Sequence, residues 1–278
     1  MDQHNAAIAV AAFYKFVTLQ DCVGLRAELL ELGQTQGLKG TILLAPEGIN
    51  ATISAPLGNL ETFLAALRAQ NRFADLEVKI SYAPAHPFQR FKVKLKREIV
   101  TFGVAEANPA ERAGTYVAAE DWNKLIQDPD VVVVDTRNAY EVAIGTFPGA
   151  RDPGTASLGG FRDYVKQHLD PARDRKVAIF CTGGIRCEKA SAYLLGQGFE
   201  NVFHLEGGIL KYLEAVPPTE SLWLGECFVF DERVALEHGV TPGTHALCKV
   251  CGFPITLTSQ SYGGCANCRE PAHDEKST

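Results

Sequence analysis

The stretch "FCTGGIRC" (residues 180–187) decides how the middle of this chain is read. It follows Val177, Ala178 and Ile179, an apolar run of strand length, and it leads into residues 185–197, which carry a helical pattern. A cysteine therefore stands where a buried strand ends. Thr182, Gly183, Gly184 and Ile185 form the turn, and Arg186 opens the helix. Backbone N–H groups in such a turn can point inward around the sulfur, and the helix amino end adds partial positive charge. Arg186 adds a permanent cation. All three favour a thiolate over a thiol, and a cysteine so placed can fall from a pKa of about 8.5 to between about 3.5 and 7.5. Glycine keeps side chains out of the ring of amides.

Outward from this loop, residues 115–215 read as α/β. A helix is expected over 119–126. "VVVVDTR" (131–137) follows, and its unbroken valine run belongs to a parallel strand covered on both faces. A second helix covers 161–168, the thiol strand runs over 177–180, and "NVFHLEGG" (201–208) gives a further strand and turn before Pro217-Pro218. Open parallel sheets bind ligands at the carboxyl ends of their strands, where Cys181 lies.

Four residues separate Cys181 from Arg186, one fewer than in the phosphate loop of cysteine phosphatases. The smaller ring suits sulfane sulfur better than a tetrahedral phosphate. Here the chain resembles a rhodanese domain, through "VVVVDTRNAYEVAIGTFPGA" (131–150), "CTGGIR" (181–186) and "LEGGILKY" (205–212). That resemblance implies Cys181 as the nucleophile, carried as a persulfide in rhodaneses, with Arg186 beside it. It places Asp135 and Arg137 at the functional edge of the sheet, with Glu141 pairing Arg137. These three serve either the reaction or a structural ion network. Cys187 either resolves an oxidised Cys181 or packs in the core, and packing is the expectation. His204 is expected as a satisfied core histidine, and Cys22 and Cys227 as core or incidental residues.

Residues 1–104 have a different order. Strands are expected at 8–16, on either side of a Pro-Glu-Gly turn within 40–55, and at 76–82; helices cover 21–34 and 60–67. The order β-α-β-β-α-β predicts a ferredoxin-like, acylphosphatase-like α+β sandwich. "RFKVKLKRE" (90–98) then alternates, sending Phe91, Val93 and Leu95 to one face and Arg90, Lys92, Lys94 and Lys96 to the other. A cationic row of this kind tracks a phosphate backbone or protects a sheet edge. "AEANPAERAG" (105–114) reads as a linker.

Residues 219–278 form a cysteine-rich, loop-rich tail. Its "CKVC" (248–251) and "CANC" (265–268) put Cys248, Cys251, Cys265 and Cys268 at a spacing that suits tetrahedral zinc in a closed, structural site.

The 278 residues are 46% hydrophobic and 22% charged, with a formal charge of −6, so nucleic-acid binding needs a local basic patch. Two domains, with a small third, fit this length. No signal peptide or membrane span is read, and cysteines without an export signal are expected to be reduced; the expected location is cytoplasmic. Neither a flavin nor a nicotinamide motif is present, nor a P-loop, and nothing sets an oligomeric state.

As a whole the chain resembles the tRNA uridine hydroxylase family, through "LLAPEGINATISA" (43–55), "HPFQRFKVKLKREIVTFG" (86–103), "FCTGGIRCEKASAYL" (180–194) and the cysteine tail. The resemblance implies use of molecular oxygen to convert the wobble uridine, position 34 of tRNA, to 5-hydroxyuridine, with Cys181 in the active site. It also turns the basic strand toward tRNA. The alternative is a sulfurtransferase acting through a Cys181 persulfide with a thiosulfate or persulfide donor.

Overall fold

The structure, a computed structural model, describes residues 8–104, 106–256, 265 and 268. The N-terminal unit begins with β1 (Ile8–Phe16), α1 (Cys22–Thr35), β2 (Lys39–Ala45) and β3 (Gly48–Pro56). It continues with α2 (Leu57–Arg68), β4 (Lys79–Ala83) and β5 (Phe91–Leu95). The sheet runs β4-β1-β3-β2-β5, antiparallel but for β5, which pairs parallel to β2. This is the ferredoxin-like order with a fifth strand added at one edge. Period-two alternation explains the layering. Ala9, Ala11 and Phe13 of β1 pack with Ile42, Leu44, Ile49 and Ile53 under Leu25, Leu29, Leu60 and Phe63 of the helices. The opposite face carries Tyr14, Thr41, Leu43, Asn50 and Thr52, and neither helix of this unit covers it among the described residues.

Phe91 and Val93 join this core, but Leu95, expected beside them, is 44% exposed as the last residue of the edge strand. Lys92 and Lys94 lie in register with Thr41 and Leu43, so they share the helix-free face.

The second unit contains β6 (Thr115–Val117), α3 (Ala119–Ile126), β7 (Val131–Asp135), α4 (Ala139–Val142), β8 (Gly145–Thr146) and α5 (Phe161–His168). It goes on through β9 (Lys176–Phe180), α6 (Ile185–Gly196), β10 (Asn201–Leu205) and α7 (Gly208–Ala215). A parallel sheet, β6-β10-β9-β7, is covered on both faces. Val134, Val177 and Ile179 meet Phe161 and Val165 of α5 and Leu194 of α6. Val131, Val133, Ala178 and Phe180 meet Trp122 of α3 and Ile209 and Tyr212 of α7. The unbroken valine run is thus a double-sided interior, and the thiol stands at its carboxyl edge.

Two segments read as loops are bound into this unit. Within 106–114, Ala107 is buried in the α5–α6 core, and the Gly114 amide donates to Ser191 Oγ at 3.1 Å; residue 105 lies outside the described residues. Past Pro218, Trp223 and Cys227 complete the α3–α7 core. Phe228, Val234 and Ala235 pack on Ile144. Beyond residue 256 only Cys265 and Cys268 are described, so the rest of the expected tail lies outside the described residues. Among the described residues, no helix is long and apolar enough to cross a membrane.

Candidate active site

The chain from β9 to α6 holds Cys181 at the strand's end, with 0% of its surface exposed. Gly184 takes φ +101°, which a side chain resists, and its amide donates to Cys181 Sγ at 3.2 Å. The first turn of α7 fixes the loop from the other side. Ile209 N–H donates to Cys181 O at 2.9 Å and Leu210 N–H to Thr182 O at 3.0 Å. Gly208, at φ +68°, lies so close that a Cβ there would stand 2.5 Å from Cys181 O. The Gly-Gly of "LEGGILKY" is therefore a docking face for the thiol loop.

Burial alone would raise the Cys181 pKa. The Cys187 thiol, the Arg186 guanidinium and the amides of Cys187 and Gly184 outweigh it and bring the value down to about 5. Cys187, also fully buried, is pushed well above the ordinary range by burial and by the neighbouring Cys181 sulfur. Its sulfur also lies 3.6 Å from Thr136 Oγ1. Cys187 is thus core-buried, and its neutral thiol beside the Cys181 sulfur is one of the groups that favour the thiolate.

The ion pairs differ from expectation at one point. Glu141 does not pair its carboxylate with Arg137. It takes Arg186 in a bidentate grip (Nη1–Oε1 2.6 Å, Nη2–Oε2 2.8 Å) and accepts from Thr182 Oγ1 at 3.2 Å. Burial opposes its ionisation, but Arg186 and then Arg137 hold its pKa below the usual carboxylate range. Arg137 instead turns back on Asp135 (Nε–Oδ1 2.9 Å, Nη2–Oδ2 2.6 Å), donates to Gly145 O, and lies 5.1 Å from the Trp223 ring centre. Neither Asp135 nor Arg137 is exposed. They tie β7 to β8 and to the segment after Pro218.

The N-terminal unit closes over this loop through residues that the sequence did not single out. Tyr14 Oη donates to Glu188 Oε1 at 2.9 Å, and from the second unit's own β6 Tyr116 Oη donates to Glu188 Oε2 at 2.8 Å. Burial raises the pKa of Glu188 and, with Glu188 beside it, that of Tyr14. Lys79 Nζ donates to Gly183 O at 3.0 Å, and its burial lowers its pKa. Lys189, the next residue of α6, is buried between Glu47 (2.8 Å) and Glu98 (2.9 Å). Those carboxylates also accept from the amides of Ile99, Phe102 and Gly103. "APEG", "KREIVTFG" and "RCEKA" are thus three parts of one joint between the units. The signal available in the sequence was the pair Glu188-Lys189, placed just after Arg186 on a helix whose other residues are small or apolar.

Between the units lies a cavity of about 590 Å³, within the usual range for small-ligand sites. The helix-free sheet face supplies Tyr14, Thr41, Leu43, Asn50 and Thr52; the loop supplies Thr182, Gly183, Ile185 and Arg186; the segment after β12 (Cys227–Phe228) supplies Val229, Phe230, Asp231 and Arg233. Cys181 itself lies just beneath this floor. Lys92 and Lys94 continue the sheet face toward its edge, with Lys94, Lys96 and Arg90 exposed and Lys92 half-buried. His204 is buried against Tyr116, its pKa lowered to about 4 by burial, and its Nε2 has no hydrogen-bond partner among the described residues. It is a core histidine, only partly satisfied.

At the C-terminal end, the Sγ atoms of Cys248, Cys251, Cys265 and Cys268 all lie within 4.8 Å of one another. Separations of 3.8 Å (248–268), 3.4 Å (251–265) and 3.5 Å (265–268) fit a thiolate tetrahedron with metal–sulfur bonds of about 2.3 Å. The set could hold one metal ion and leaves no ligand position open.

Residues 8–99 match the family model of the UPF0176 acylphosphatase like domain, and residues 118–215 match that of the Rhodanese-like domain. A tRNA uridine(34) hydroxylase of Rhizobium etli is 53% identical over 273 residues, covering 97% of this chain and 88% of the relative. One of Synechocystis sp. is 54% identical over 251 residues, 90% of each chain. The chain belongs to the tRNA uridine(34) hydroxylase family. Both units and the joint between them fall within the span shared with the Rhizobium etli member of that family.

Proposed function

We propose that this protein hydroxylates C5 of the wobble uridine of tRNA, with Cys181 as the nucleophile and molecular oxygen as co-substrate. The observation that carries this reading is the depressed thiol beneath a cavity roofed by a sheet face that ends in Lys92 and Lys94. A rhodanese fold serving sulfur transfer alone has no use for that roof. The lysine row, with Arg90 and Lys96, would follow the phosphates of the anticodon loop and hold the uridine over the active loop.

Net hydroxylation puts one oxygen atom at C5 and releases the other as water, consuming two electrons and two protons from a reductant. Triplet oxygen reacts slowly with closed-shell carbon. A thiolate lowers that barrier: Cys181 Sγ bonds to uracil C6 and leaves C5 an electron-rich enolate carbon. That carbon adds oxygen and a proton to give a C5 hydroperoxide. The reductant's two electrons and two protons cleave its O–O bond, leaving a hydroxyl on C5 and releasing water. Once C5 is oxygenated, its proton and the thiolate leave together and the C5–C6 double bond is restored. Arg186, held by Glu141, keeps the sulfur ionised at both ends of this cycle. Because the sulfur lies beneath the floor, admitting the base requires the loop to shift at Gly183, which lines the cavity and where an added Cβ would meet nothing within 4 Å.

The cysteine quartet would hold structural zinc, which closes the C-terminal segment and supplies no open position for chemistry. Nucleoside mass spectrometry of tRNA from cells lacking the protein, complemented with wild type or Cys181→Ser, tests the reading. 5-Hydroxyuridine should return only with wild type, and its return with the folded serine variant refutes the role of Cys181. Thiocyanate release from thiosulfate and cyanide, at a rate that accounts for the phenotype, would support sulfur transfer instead.

A further inference from the structure

The turn that follows β12 carries a feature that neither the thiol loop nor the lysine row explains. Phe230 is 64% exposed, yet it lines the cavity, with the Arg186 guanidinium carbon 5.9 Å from its ring centre and Phe228 edge-on at 5.3 Å. A single exposed aromatic on a surface is ordinary. This one is held in place. Arg233 and Asp231, nearly buried, form a bidentate pair (Nε–Oδ1 2.9 Å, Nη2–Oδ2 2.6 Å). Arg233 Nη1 also donates to Ser81 Oγ of β4 at 2.7 Å, across to the N-terminal unit. Val234 sits at φ +64°, a conformation that a β-branched residue adopts only under strain. Strain of this kind persists where the surroundings enforce it, commonly at ligand sites. The turn thus fixes an exposed aromatic ring at the lip of the cavity, next to the active-loop arginine.

We propose that Phe230 is a stacking platform for the nucleobase adjacent to the reacting uridine. This rests on the function proposed above and names a second point of attachment for the same RNA. Single-stranded RNA is held by unstacked bases laid on aromatic faces, while cationic grooves track its backbone. The lysine row supplies the second element, and Phe230 supplies the first. One base on the ring would anchor the strand at the cavity mouth while its neighbour passes to the floor over Cys181.

The test uses full-length protein and a tRNA anticodon stem–loop, intact or with an abasic residue on the 5′ or the 3′ side of the target uridine. Dissociation constants are measured for wild type, Phe230→Ala and Phe230→Trp. Stacking predicts that Phe230→Ala weakens binding of the intact RNA between about fivefold and a hundredfold, and that Phe230→Trp restores it. On one of the two abasic RNAs the alanine variant should cost nothing further, a coupling that a purely structural role of Phe230 would not produce. Equal losses on all three RNAs, or no loss on any, overturn the platform. Hydroxylation by wild type on the same RNA is read separately. Its absence counts against the proposed reaction, whereas the binding cycle judges the platform.

Discussion

The titration of Cys181 is where the mechanism stands most open to refutation, and the structure says where to look. A pKa of about 5 and an ordinary thiol at about 8.5 both give measurable thiolate at neutrality, roughly 99% and 3% respectively. That ratio of about thirty is nearly cancelled, because nucleophilicity falls with pKa (β about 0.4–0.5), a loss of about fortyfold over this interval. An absolute rate at pH 7 therefore decides nothing. At pH 6 the thiolate ratio grows to about three hundred, leaving a net advantage of about eightfold before burial slows both arms of the profile alike. The informative quantity is the shape. Alkylation by iodoacetamide, quantified by mass spectrometry at residue 181, should be flat from pH 6 to pH 9 and fall to half near pH 5. Cys187→Ala removes a donor to a charged acceptor, worth about 1.5–3 kcal/mol, and should move the half-point up by about one to two pH units. Cys187→Ser, which keeps a donor, should move it less. A wild-type half-point at pH 8 or above refutes the thiolate pocket and the nucleophile with it.

Glu141→Gln leaves the Arg186 guanidinium buried without its carboxylate, and loss of one partner of a buried pair costs about 3–5 kcal/mol, measurable as a lowered urea midpoint. Gly184→Ala puts a Cβ 2.8 Å from Tyr14 Oη at a backbone angle alanine resists; the thermal midpoint should fall by a few degrees, and hydroxylation should be lost at temperatures where the variant is still folded. Lys92→Glu with Lys94→Glu should weaken tRNA binding and flatten its salt dependence by about 0.7–0.9 in log–log slope for each phosphate no longer neutralised, and an unchanged slope would remove the strand from the RNA interface. Metal analysis of protein purified without chelator should find about one zinc per chain, absent when Cys248 and Cys251 are both replaced by serine.

The fold was legible where local pattern and tertiary environment agree. Four consecutive valines have one comfortable place, a strand covered on both faces, and the structure puts Val131 and Val133 against one helix layer and Val134 against the other. The thiol loop was legible for a similar reason: glycines, amides and a cation serve one charge at short range. Glu141 shows where such reading stops. The rhodanese resemblance paired it with Arg137, but α4 begins only at Ala139. Arg137 therefore belongs to the strand end and reaches back to Asp135, which frees Glu141 for Arg186, 45 residues away.

The joint between the units was illegible on its own because each of its bonds closes over a long separation: Tyr14 to Glu188 spans 174 residues, and Lys79 to Gly183 spans 104. Yet its cost was visible. Helix α6 buries Arg186, Glu188 and Lys189 within four positions, and buried charges require partners. The sheet of the rhodanese unit occupies one side of that helix and Glu141 satisfies only Arg186. Glu188 and Lys189 draw all but one of their described side-chain partners from residues 14, 47 and 98, the exception being Tyr116 at the start of β6. A charged pair placed directly after the thiol loop, on a helix whose remaining turns are small and apolar, therefore specifies a second surface over that loop, and here the covering surface is the one that carries the cations.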